Sequence, residues 1–214
     1  MTHRLLPCGD RAVLVDVEGL DSALRVASGL ASLREVEDVV PAGESVLVRF
    51  RAGADLADVV GRLDLLVERA LSAYAVPAPA TTRAEVVIPV RYDGPDLDDV
   101  ARASGLTPAE LVAAHTGSAW TAAFAGFAPG FAYLTGGDPR IVAPRRTEPR
   151  AVVEPGSVAV AGDYCGVYPS RSPGGWQLIG RTDVVMWDVD ADPPAAVVPG
   201  DRVRFVALDG GAAE

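Results

Sequence analysis

A proline-rich segment, VPAPATTRA at residues 76–84, separates two parts of the chain whose hydrophobic patterns differ. Helical periodicities alternate with strand-like runs before it, whereas short strand-like runs punctuated by glycine and proline follow it. Small, polar and proline residues between two such regions are typical of a domain boundary. Since 214 residues can fill two modest hydrophobic cores, we predict two domains.

The first part predicts a small sheet with two helices. Alternating valines indicate a strand at residues 11–17, and apolar residues at helical spacing indicate a helix at residues 21–35. Residues 36–50 predict two strands around a proline-alanine-glycine turn, and residues 54–74 predict a long amphipathic helix. The order βαββα fits a ferredoxin-like unit that lacks only its last strand.

The second part predicts a β-rich domain. Residues 107–115 predict a helix among its strands, because Thr107, Pro108 and Glu110 have the spacing of a capping box. The strand candidates are EVVIPVRY (85–92), SVAVAG (157–162), VVMWDV (184–189) and DRVRFVAL (201–208). Many short strands with few helices predict a barrel or a sandwich, so the expected fold class is α+β.

Charge and composition exclude several classes of function. The net charge of −10 argues against nucleic acid or an anionic membrane as a partner. No apolar run approaches the ~20 residues of a membrane helix, and the N-terminus lacks the apolar core of a signal peptide. The chain contains no lysine, which excludes a Schiff-base lysine and a P-loop lysine. We expect a soluble cytoplasmic protein.

Cysteine and histidine are scarce, with Cys8 and Cys165 far apart and only His3 and His115 beside them. This inventory has no recognisable zinc-site spacing, so no metal site is expected. A catalytic Cys165–His115 pair is one alternative, although neither residue lies in a motif typical of such a pair. We favour two reduced, unpaired thiols.

Three glycine- and proline-rich segments predict a binding site: GFAPGFAYL (126–134), APRRTEPR (143–150) and YPSRSPGGWQLIGRT (168–182). Such segments hold backbone N–H groups in fixed, non-repeating directions, which is how anion-binding loops are built. Neighbouring arginines donate bidentate hydrogen bonds to a carboxylate or phosphate, and aromatic rings form apolar walls around a small ligand. The side chains concerned are Arg145, Arg146, Arg150, Phe127, Phe131, Tyr133 and Trp176.

Structural explanations for these residues stay open. Glycine, proline and aromatic residues also form barrel corners and cores. Adjacent arginines are commonly a solvated face, which Asp138 and Glu148 would neutralise. His115, near a helix C-terminus, is commonly a structural residue that complements the helix dipole. A group of carboxylates is interpreted as a charge effect at a helix N-terminus: Asp93, Asp96, Asp98 and Asp99.

Six blocks of the chain resemble the allophanate hydrolase subunit 1 family, in the same order and from about residue 5 to residue 208. They are GDRAVLVDV (9–17), GFAPGFAYL, DPR (138–140), PRRTEPR, PGSVAVAG (155–162) and YPSRSPGGWQLIGRT. The family is named for part of urea amidolyase. It also includes the B subunit of the bacterial ATP-dependent 5-oxoprolinase and the Kip inhibitor of a sporulation histidine kinase.

The resemblance implies an N-terminal ferredoxin-like domain, residues 1–78, followed by a C-terminal cyclophilin-like β-barrel, residues 83–210. It also implies two partners in the same complex: the C subunit (or subunit 2), whose related barrel shares a cleft with this one, and the A subunit. A covalently attached biotin is not expected, because the chain has no lysine.

The function that the resemblance implies is that of a subunit of an ATP-dependent 5-oxoprolinase. Such a complex opens the lactam of 5-oxoproline to glutamate with ATP as co-substrate, and this chain is expected to be inactive alone. One alternative is the carboxyltransferase component of a biotin-dependent urea carboxylase or amidolyase. Another is a non-catalytic inhibitor of a histidine kinase.

The oxoprolinase interpretation gives the candidate residues separate roles. His115 is the candidate for proton transfer, Tyr133 for hydroxyl donation and Arg146 for stabilising developing negative charge. The candidates for binding the small amide substrate or the nucleotide are Phe127, Pro129, Gly130, Phe131, Arg145, Gly174, Gly175, Trp176, Gln177 and Arg181.

Overall fold

Two units divide the chain, residues 1–79 and residues 80–214, in a computed structural model that describes residues 3–73 and 83–208. Most of the predicted boundary segment, residues 76–82, lies outside the described residues. In the described ranges no helix is long and apolar enough to cross a membrane.

The N-terminal unit contains an antiparallel sheet with strand order β1-β2-β4-β3 in its described residues. Its elements are β1 (Arg4–Pro7), β2 (Ala12–Asp16), α1 (Gly19–Leu30), β3 (Val36–Pro41), β4 (Ser45–Phe50) and α2 (Leu56–Ser72). The predicted strands and helices of this part are therefore confirmed, except that the first helix ends at Leu30 rather than at residue 35. Strand β1 is an addition, which periodicity misses because three of its four residues are exposed at the sheet edge.

Period-two alternation explains how this sheet packs. The buried residues of β2 and β4 alternate along each strand and share a core with both helices: Val13, Val15, Val46, Val48, Val26, Leu30, Leu63 and Val67. Asp55 is the N-cap residue of helix α2, and its carboxylate accepts hydrogen bonds from the backbone N–H groups of Ala57 and Asp58. Such a cap satisfies amide groups that have no partner inside the helix.

The second unit is a nearly closed barrel with strand order β12-β9-β10-β7-β6-β13-β5 in the described residues. Its first elements are β5 (Val86–Val90), α3 (Leu97–Ala103), α4 (Pro108–Gly117), β6 (Trp120–Ala125), β7 (Ala132–Thr135) and β8 (Arg150–Val153). These are followed by β9 (Ser157–Ala161), β10 (Tyr164–Val167), β11 (Ser172–Gly174), β12 (Gln177–Arg181) and β13 (Arg202–Ala207). A bridge between Arg91 and Arg181 joins the two edges, and β8 pairs separately with β11.

Two expectations for this unit change. The segment 184–189 is irregular rather than a strand, with one isolated bridge from Trp187 to Ala195. Its apolar alternation corresponds to one buried residue, Met186, between exposed neighbours. Among the described residues no strand pairs with this segment, so it does not form a strand. The helix at residues 107–115 is confirmed as α4, with its capping box, but the shorter helix α3 precedes it.

The barrel strands carry apolar residues on both sides. The inner side fills the barrel with Val158, Val160, Cys165, Val167, Leu134, Ile179 and Phe205. The outer side carries a second cluster that includes Ala159, Ala161, Tyr168, Trp176 and Leu178. Every residue of β9 is buried, because both clusters use it. The outer side of the barrel at β9 is therefore covered by loops that pack upon it.

Segment 93–96 crosses β12 at close range. The backbone N–H of Gly94 donates to the Ile179 carbonyl at 3.3 Å, and that of Asp96 donates to the Leu178 carbonyl at 3.0 Å. A Cβ atom on Gly94 would lie 2.3 Å from the Leu178 carbonyl oxygen, so glycine is required for this approach. The crossing brings Asp96 against the outer side of the barrel.

We expect Gly94→Ala to destabilise the second unit by about 2 kcal/mol or more, because the backbone must shift to accommodate the methyl group. All three tryptophans of the chain, Trp120, Trp176 and Trp187, lie in this unit, so fluorescence-monitored urea unfolding reports on it. The control is Gly117→Ala, whose Cβ meets no atom within 4 Å and whose effect should stay below about 1 kcal/mol. Equal effects of the two substitutions would contradict the close approach.

Candidate functional site

The three predicted loop segments meet on the outer side of the barrel around an aromatic cluster. We define this cluster as Phe124, Phe127, Phe131, Tyr133, Tyr164, Tyr168 and Trp176. Phe131 lies at its centre, with ring centroids 5.1 Å from Tyr133, 5.4 Å from Tyr168 and 5.4 Å from Trp176. These contacts are edge-to-face, which is a favoured arrangement of aromatic rings. The structure therefore brings together the predicted aromatic residues.

The segment GFAPGFAYL forms the tight loop between β6 and β7. Two short-range bonds fold it, from Ala128 N–H to the Gly126 carbonyl at 2.8 Å and from Phe131 N–H to the Ala128 carbonyl at 3.0 Å. Gly130 adopts a φ of 82°, and a Cβ there would lie 2.8 Å from the Met186 carbonyl oxygen. The loop is therefore rigid, because its turn is hydrogen-bonded and packs closely on segment 186–187.

Phe127 is held in an unusual conformation at the tip of this loop. Within the described ranges it is the non-glycine residue with a positive φ, at 68°. The residue is 58% exposed, although its ring also contacts Phe131 and Tyr168. A positive φ is unfavourable for a bulky residue, and such strain concentrates at functional positions. Phe127 and Pro129 are therefore the solvent-exposed side chains at the tip of this loop.

Asp96 organises the arginine-rich segment. Its side chain is 3% exposed, and Oδ1 accepts from Arg146 Nη1 at 3.1 Å and from Arg150 Nη2 at 2.7 Å. Oδ2 accepts from the Leu178 backbone N–H at 2.7 Å. One buried carboxylate thus joins the start of α3, segment 144–150 and strand β12.

This arrangement corrects two sequence expectations. The carboxylates before α3 are not simply a charge effect at a helix N-terminus, because Asp96 makes no side-chain capping bond and Asp93 pairs with Arg181 at 2.7 Å. The predicted neutralising residues are also wrong, because Asp138 pairs with Arg140 and Asp96 neutralises Arg146 instead. The sequence does contain a signal for this pairing, because a cluster of carboxylates and a cluster of arginines occur in the same domain.

Segment 144–146 is tied to segment 175–177. Gln177 Nε2 donates to the Pro144 carbonyl at 2.8 Å, and the Arg146 backbone N–H donates to the Gly175 carbonyl at 2.8 Å. Gly174 leaves space for Tyr168, because a Cβ there would lie 2.3 Å from the Tyr168 hydroxyl oxygen. The predicted residues of these two segments are therefore neighbours. Tyr168 is a further member of the site, and no sequence pattern distinguishes it from the other residues of its segment.

Two predicted residues lie apart from this group. Arg181 is at the other end of β12 from Gln177, about 13 Å away at the usual strand rise, and pairs with Asp93. His115 lies inside the barrel and is fully buried beside Phe205 and Trp120. The outer-side site therefore contains Arg145 and Arg146 but neither of these two residues.

The surroundings of His115 determine its protonation state. Nδ1 lies 2.7 Å from the Tyr92 hydroxyl and Nε2 lies 3.2 Å from Cys165 Sγ. Burial lowers the pKa of His115 to about 3 and raises the pKa of Cys165, so both groups stay neutral near pH 7. A neutral thiol and imidazole inside a core do not form an activated nucleophile, and they do not reach a ligand on the outer side. We assign His115 a structural role and do not retain it as a proton-transfer group.

Burial also sets the protonation state of the two tyrosines at the site. It raises the pKa of Tyr133 and of Tyr168, and in each case Arg145 acts in the opposite direction. Both phenols therefore keep their protons at neutral pH and can donate hydrogen bonds. The site combines cationic arginine, neutral hydroxyl donors and aromatic surface.

Other features of the barrel unit do not coincide with this site. A surface depression of about 550 Å³ lies at the end of α4 and is lined by residues such as Ser118, Asp138 and Arg140. Within residues 3–73 and 83–208 no group of three or more histidine, cysteine or acidic side chains is placed to hold a metal ion. Both cysteines are free.

The family model described as "Carboxyltransferase domain, subdomain C and D" matches residues 3–197. The chain therefore belongs to this family.

Curated relatives carry a more particular name, that of the B subunit of 5-oxoprolinase. The chain is 36% identical over 208 residues to this protein of Escherichia coli O157:H7, covering 92% of this chain and 93% of the relative. It is 44% identical over 126 residues to the protein of the same name from Bacillus subtilis (strain 168), covering 58% of this chain. That second alignment spans about half, 52%, of the relative's length.

Solved structures support the fold. The crystal structure of TTHA0988 is 33% identical with a TM-score of 0.73, and the match covers 94% of this chain and 40% of the longer one. The Kluyveromyces lactis urea amidolyase is 18% identical with a TM-score of 0.76, and the match covers 96% of this chain and 15% of that one. At that identity the second likeness concerns the fold alone.

We expect Asp96→Ala to lower the free energy of unfolding of the second unit by about 2 to 3 kcal/mol, because two arginines lose their buried counter-charge. The matched control is Asp99→Ala, which removes an exposed ion pair with Arg102 and should cost less than about 1 kcal/mol. Urea unfolding followed by tryptophan fluorescence measures both effects. A loss at Asp96 as small as that at Asp99 would show that the carboxylate is not the anchor.

His115 predicts a pH dependence of stability. Because its pKa falls from 6.5 to about 3 on folding, the unfolded chain binds one more proton between these values. Its contribution to stability is complete above pH 6.5 and is lost as the pH falls, by about 1.4 kcal/mol per unit at most.

The measurement compares unfolding free energies at about pH 7.5 and about pH 5.5, on either side of the ordinary histidine pKa. The wild-type chain should lose about 1.4 kcal/mol more between these values than His115→Asn does. The control is His3→Asn, which removes the histidine of the other unit. It should not change the part of the pH dependence of the unfolding free energy that His115 causes. Identical pH profiles for the wild type and His115→Asn would rule out a buried neutral imidazole.

Proposed function

We propose that the chain is a subunit of an ATP-dependent 5-oxoprolinase complex that opens 5-oxoproline to glutamate. The observation that carries this proposal is the end-to-end likeness to the B subunit of a 5-oxoprolinase, at 36% identity over 92% of the chain. The name of these relatives implies partner subunits, and the partners in this proposal are the C subunit (or subunit 2) and the A subunit. The geometry adds a site with a cation, hydroxyl donors and an apolar surface, which suits a small amide.

The chemistry explains why ATP is needed. A lactam is an unreactive amide, and transfer of the ATP γ-phosphoryl group to its oxygen makes the ring carbon open to attack. One water then adds to that carbon and the ring C–N bond breaks, which leaves an acyl phosphate on the side chain of glutamate. A second water hydrolyses this acyl phosphate, and the phosphate leaves. The products are glutamate, ADP and phosphate. Positively charged and N–H donors stabilise the charge that develops in such steps.

This chain's contribution is to bind and orient the substrate. Arg145 and Tyr133 are its donors, and Phe127 is its exposed apolar surface. Arg146 supports them through Asp96 rather than acting on the substrate directly. The chain has no lysine for a P-loop, so a partner supplies or completes the ATP site. For that reason the isolated chain is inactive.

The proposal also covers the fold of each unit. The N-terminal unit is ferredoxin-like, with β1 in the place of the missing last strand, as the order β1-β2-β4-β3 supports. The second unit is a cyclophilin-like barrel, closed by the bridge between Arg91 and Arg181.

A second candidate function is carboxyl transfer in a biotin-dependent urea carboxylase. The description of the matching family, which names a carboxyltransferase domain, favours it. Urea carries no charge, whereas 5-oxoproline carries a carboxylate, so the two substrates place different demands on Arg145. The chain's own site therefore favours the acidic substrate.

The experiment is to tag the chain, purify it with whatever copurifies from its native host, and measure ADP release. We expect ADP release that rises with 5-oxoproline and is absent from the chain alone. The matched variant is a complex that carries Phe127→Asp, which places a charge on the exposed aromatic surface and should reduce turnover by about tenfold or more. ATP turnover that responds to urea or ignores 5-oxoproline would overturn the proposal, as would purification of the chain with a histidine kinase only.

A further inference from the structure

The three arginines of segment 143–150 are not equivalent. Arg146 and Arg150 both donate to the buried Asp96, so each guanidinium group already has a carboxylate partner. Arg145 is exposed and forms no hydrogen bond or ion pair with any residue in the ranges 3–73 and 83–208. Arg145 is therefore the arginine of this segment whose guanidinium group is available to pair with a ligand.

Arg145 and Tyr168 both approach the backbone of segment 174–175, and while burial raises the pKa of Tyr168, Arg145 acts to lower it. Nη2 of Arg145 lies 3.9 Å from the position that a Cβ on Gly175 would occupy. The hydroxyl of Tyr168 lies only 2.3 Å from the corresponding position on the adjacent Gly174. The phenol of Tyr168 therefore packs on Gly174, and the guanidinium of Arg145 lies beside Gly175. Glycine at Gly174 is required for this geometry, whereas Gly175 makes only ordinary contacts.

Hydroxyl and N–H donors surround the same place. Tyr133 is half-buried, contacts Trp176 at a centroid distance of 5.5 Å, and lies close enough to Arg145 for its pKa to respond. Nη1 of Arg150 is buried and has no hydrogen-bond partner among the described residues. A buried donor without a partner calls for an acceptor. A bound anion would supply one.

Apolar surface adjoins these donors. The rings of Phe131 and Trp176 form a buried floor, and the exposed ring of Phe127 stands beside it. A ligand that suits both parts has a small anionic group and a compact apolar body. The acid group and the methylene carbons of a five-membered lactam acid fit that description.

We propose that Arg145 binds the carboxylate of the substrate, with hydroxyl donation from Tyr133, while the lactam ring lies against Phe127 and Trp176. The proposal rests on the proposed function and names the group that selects an acidic lactam over an uncharged amide. Bidentate pairing is the geometry in which a guanidinium holds a carboxylate best. Arg145 is thus a specificity-determining residue, and the catalytic groups lie elsewhere in the complex.

The test uses the purified complex with Arg145→Gln. We expect the KM for 5-oxoproline to rise about thirtyfold or more, while kcat changes by less than about threefold, because the lost contact serves binding. Arg145→Lys keeps the charge without the fork and should recover only part of the affinity. The matched control is Arg140→Gln, which removes an exposed arginine paired with Asp138 and should leave KM unchanged.

A second measurement separates this proposal from the proposed function. Calorimetric titration of the full chain, with its copurifying partners, compares 5-oxoproline with 2-pyrrolidinone, which is the same lactam without the carboxylate. We expect Arg145→Gln to weaken binding of the acid by about tenfold or more and to leave binding of the neutral lactam unchanged.

The outcomes are distinct. If the complex does not turn over 5-oxoproline but binds it through Arg145, the carboxylate site stands and the proposed function fails. If the complex turns it over and Arg145→Gln leaves both KM and binding unchanged, the carboxylate site is overturned and the proposed function stands. Equal losses for 5-oxoproline and 2-pyrrolidinone would also overturn it, because they would show a general disturbance of the surface.

Discussion

A single buried carboxylate determines how the outer side of the barrel is assembled. Asp96 is removed from water, and its carboxylate accepts hydrogen bonds from two guanidinium groups and a backbone N–H of neighbouring segments. A carboxylate in that position is tolerable only when it is fully hydrogen-bonded. Segment 93–96, the arginine segment and β12 are therefore fixed relative to one another, and the backbone that carries the free Arg145 is fixed with them.

The barrel strands make this arrangement possible because they are packed on both sides. Ala159 belongs to the outer cluster, and Gly166 leaves room for an aromatic ring, because a Cβ there would lie 2.8 Å from the Phe131 ring. Larger residues face inward and fill the barrel, together with the neutral His115. The inner side provides stability, whereas the outer side provides a rigid floor for the site that we propose.

Sequence patterns predict the elements with regular periodicity and the composition of the site, but not its connections. The arginines and aromatic rings stand out because glycine, proline and charge are unusual in those loops. The role of Asp96 is hidden, since carboxylates before a helix look alike whether they cap it or pair with a segment fifty residues away. Proton transfer is a common role of histidine, and the burial that rules it out for His115 has no local signal. Segment 184–189 alternates like a strand, and only its lack of a partner strand among the described residues shows that it is not one.

The conformation of Phe127 sets stability against activity at one position. Holding a bulky residue at positive φ costs on the order of 1 kcal/mol, which glycine or asparagine would recover. Selection for thermal resistance alone would therefore replace this phenylalanine, and it would remove the exposed ring in doing so. A chain with phenylalanine at this turn accepts a less stable fold in exchange for an exposed aromatic ring.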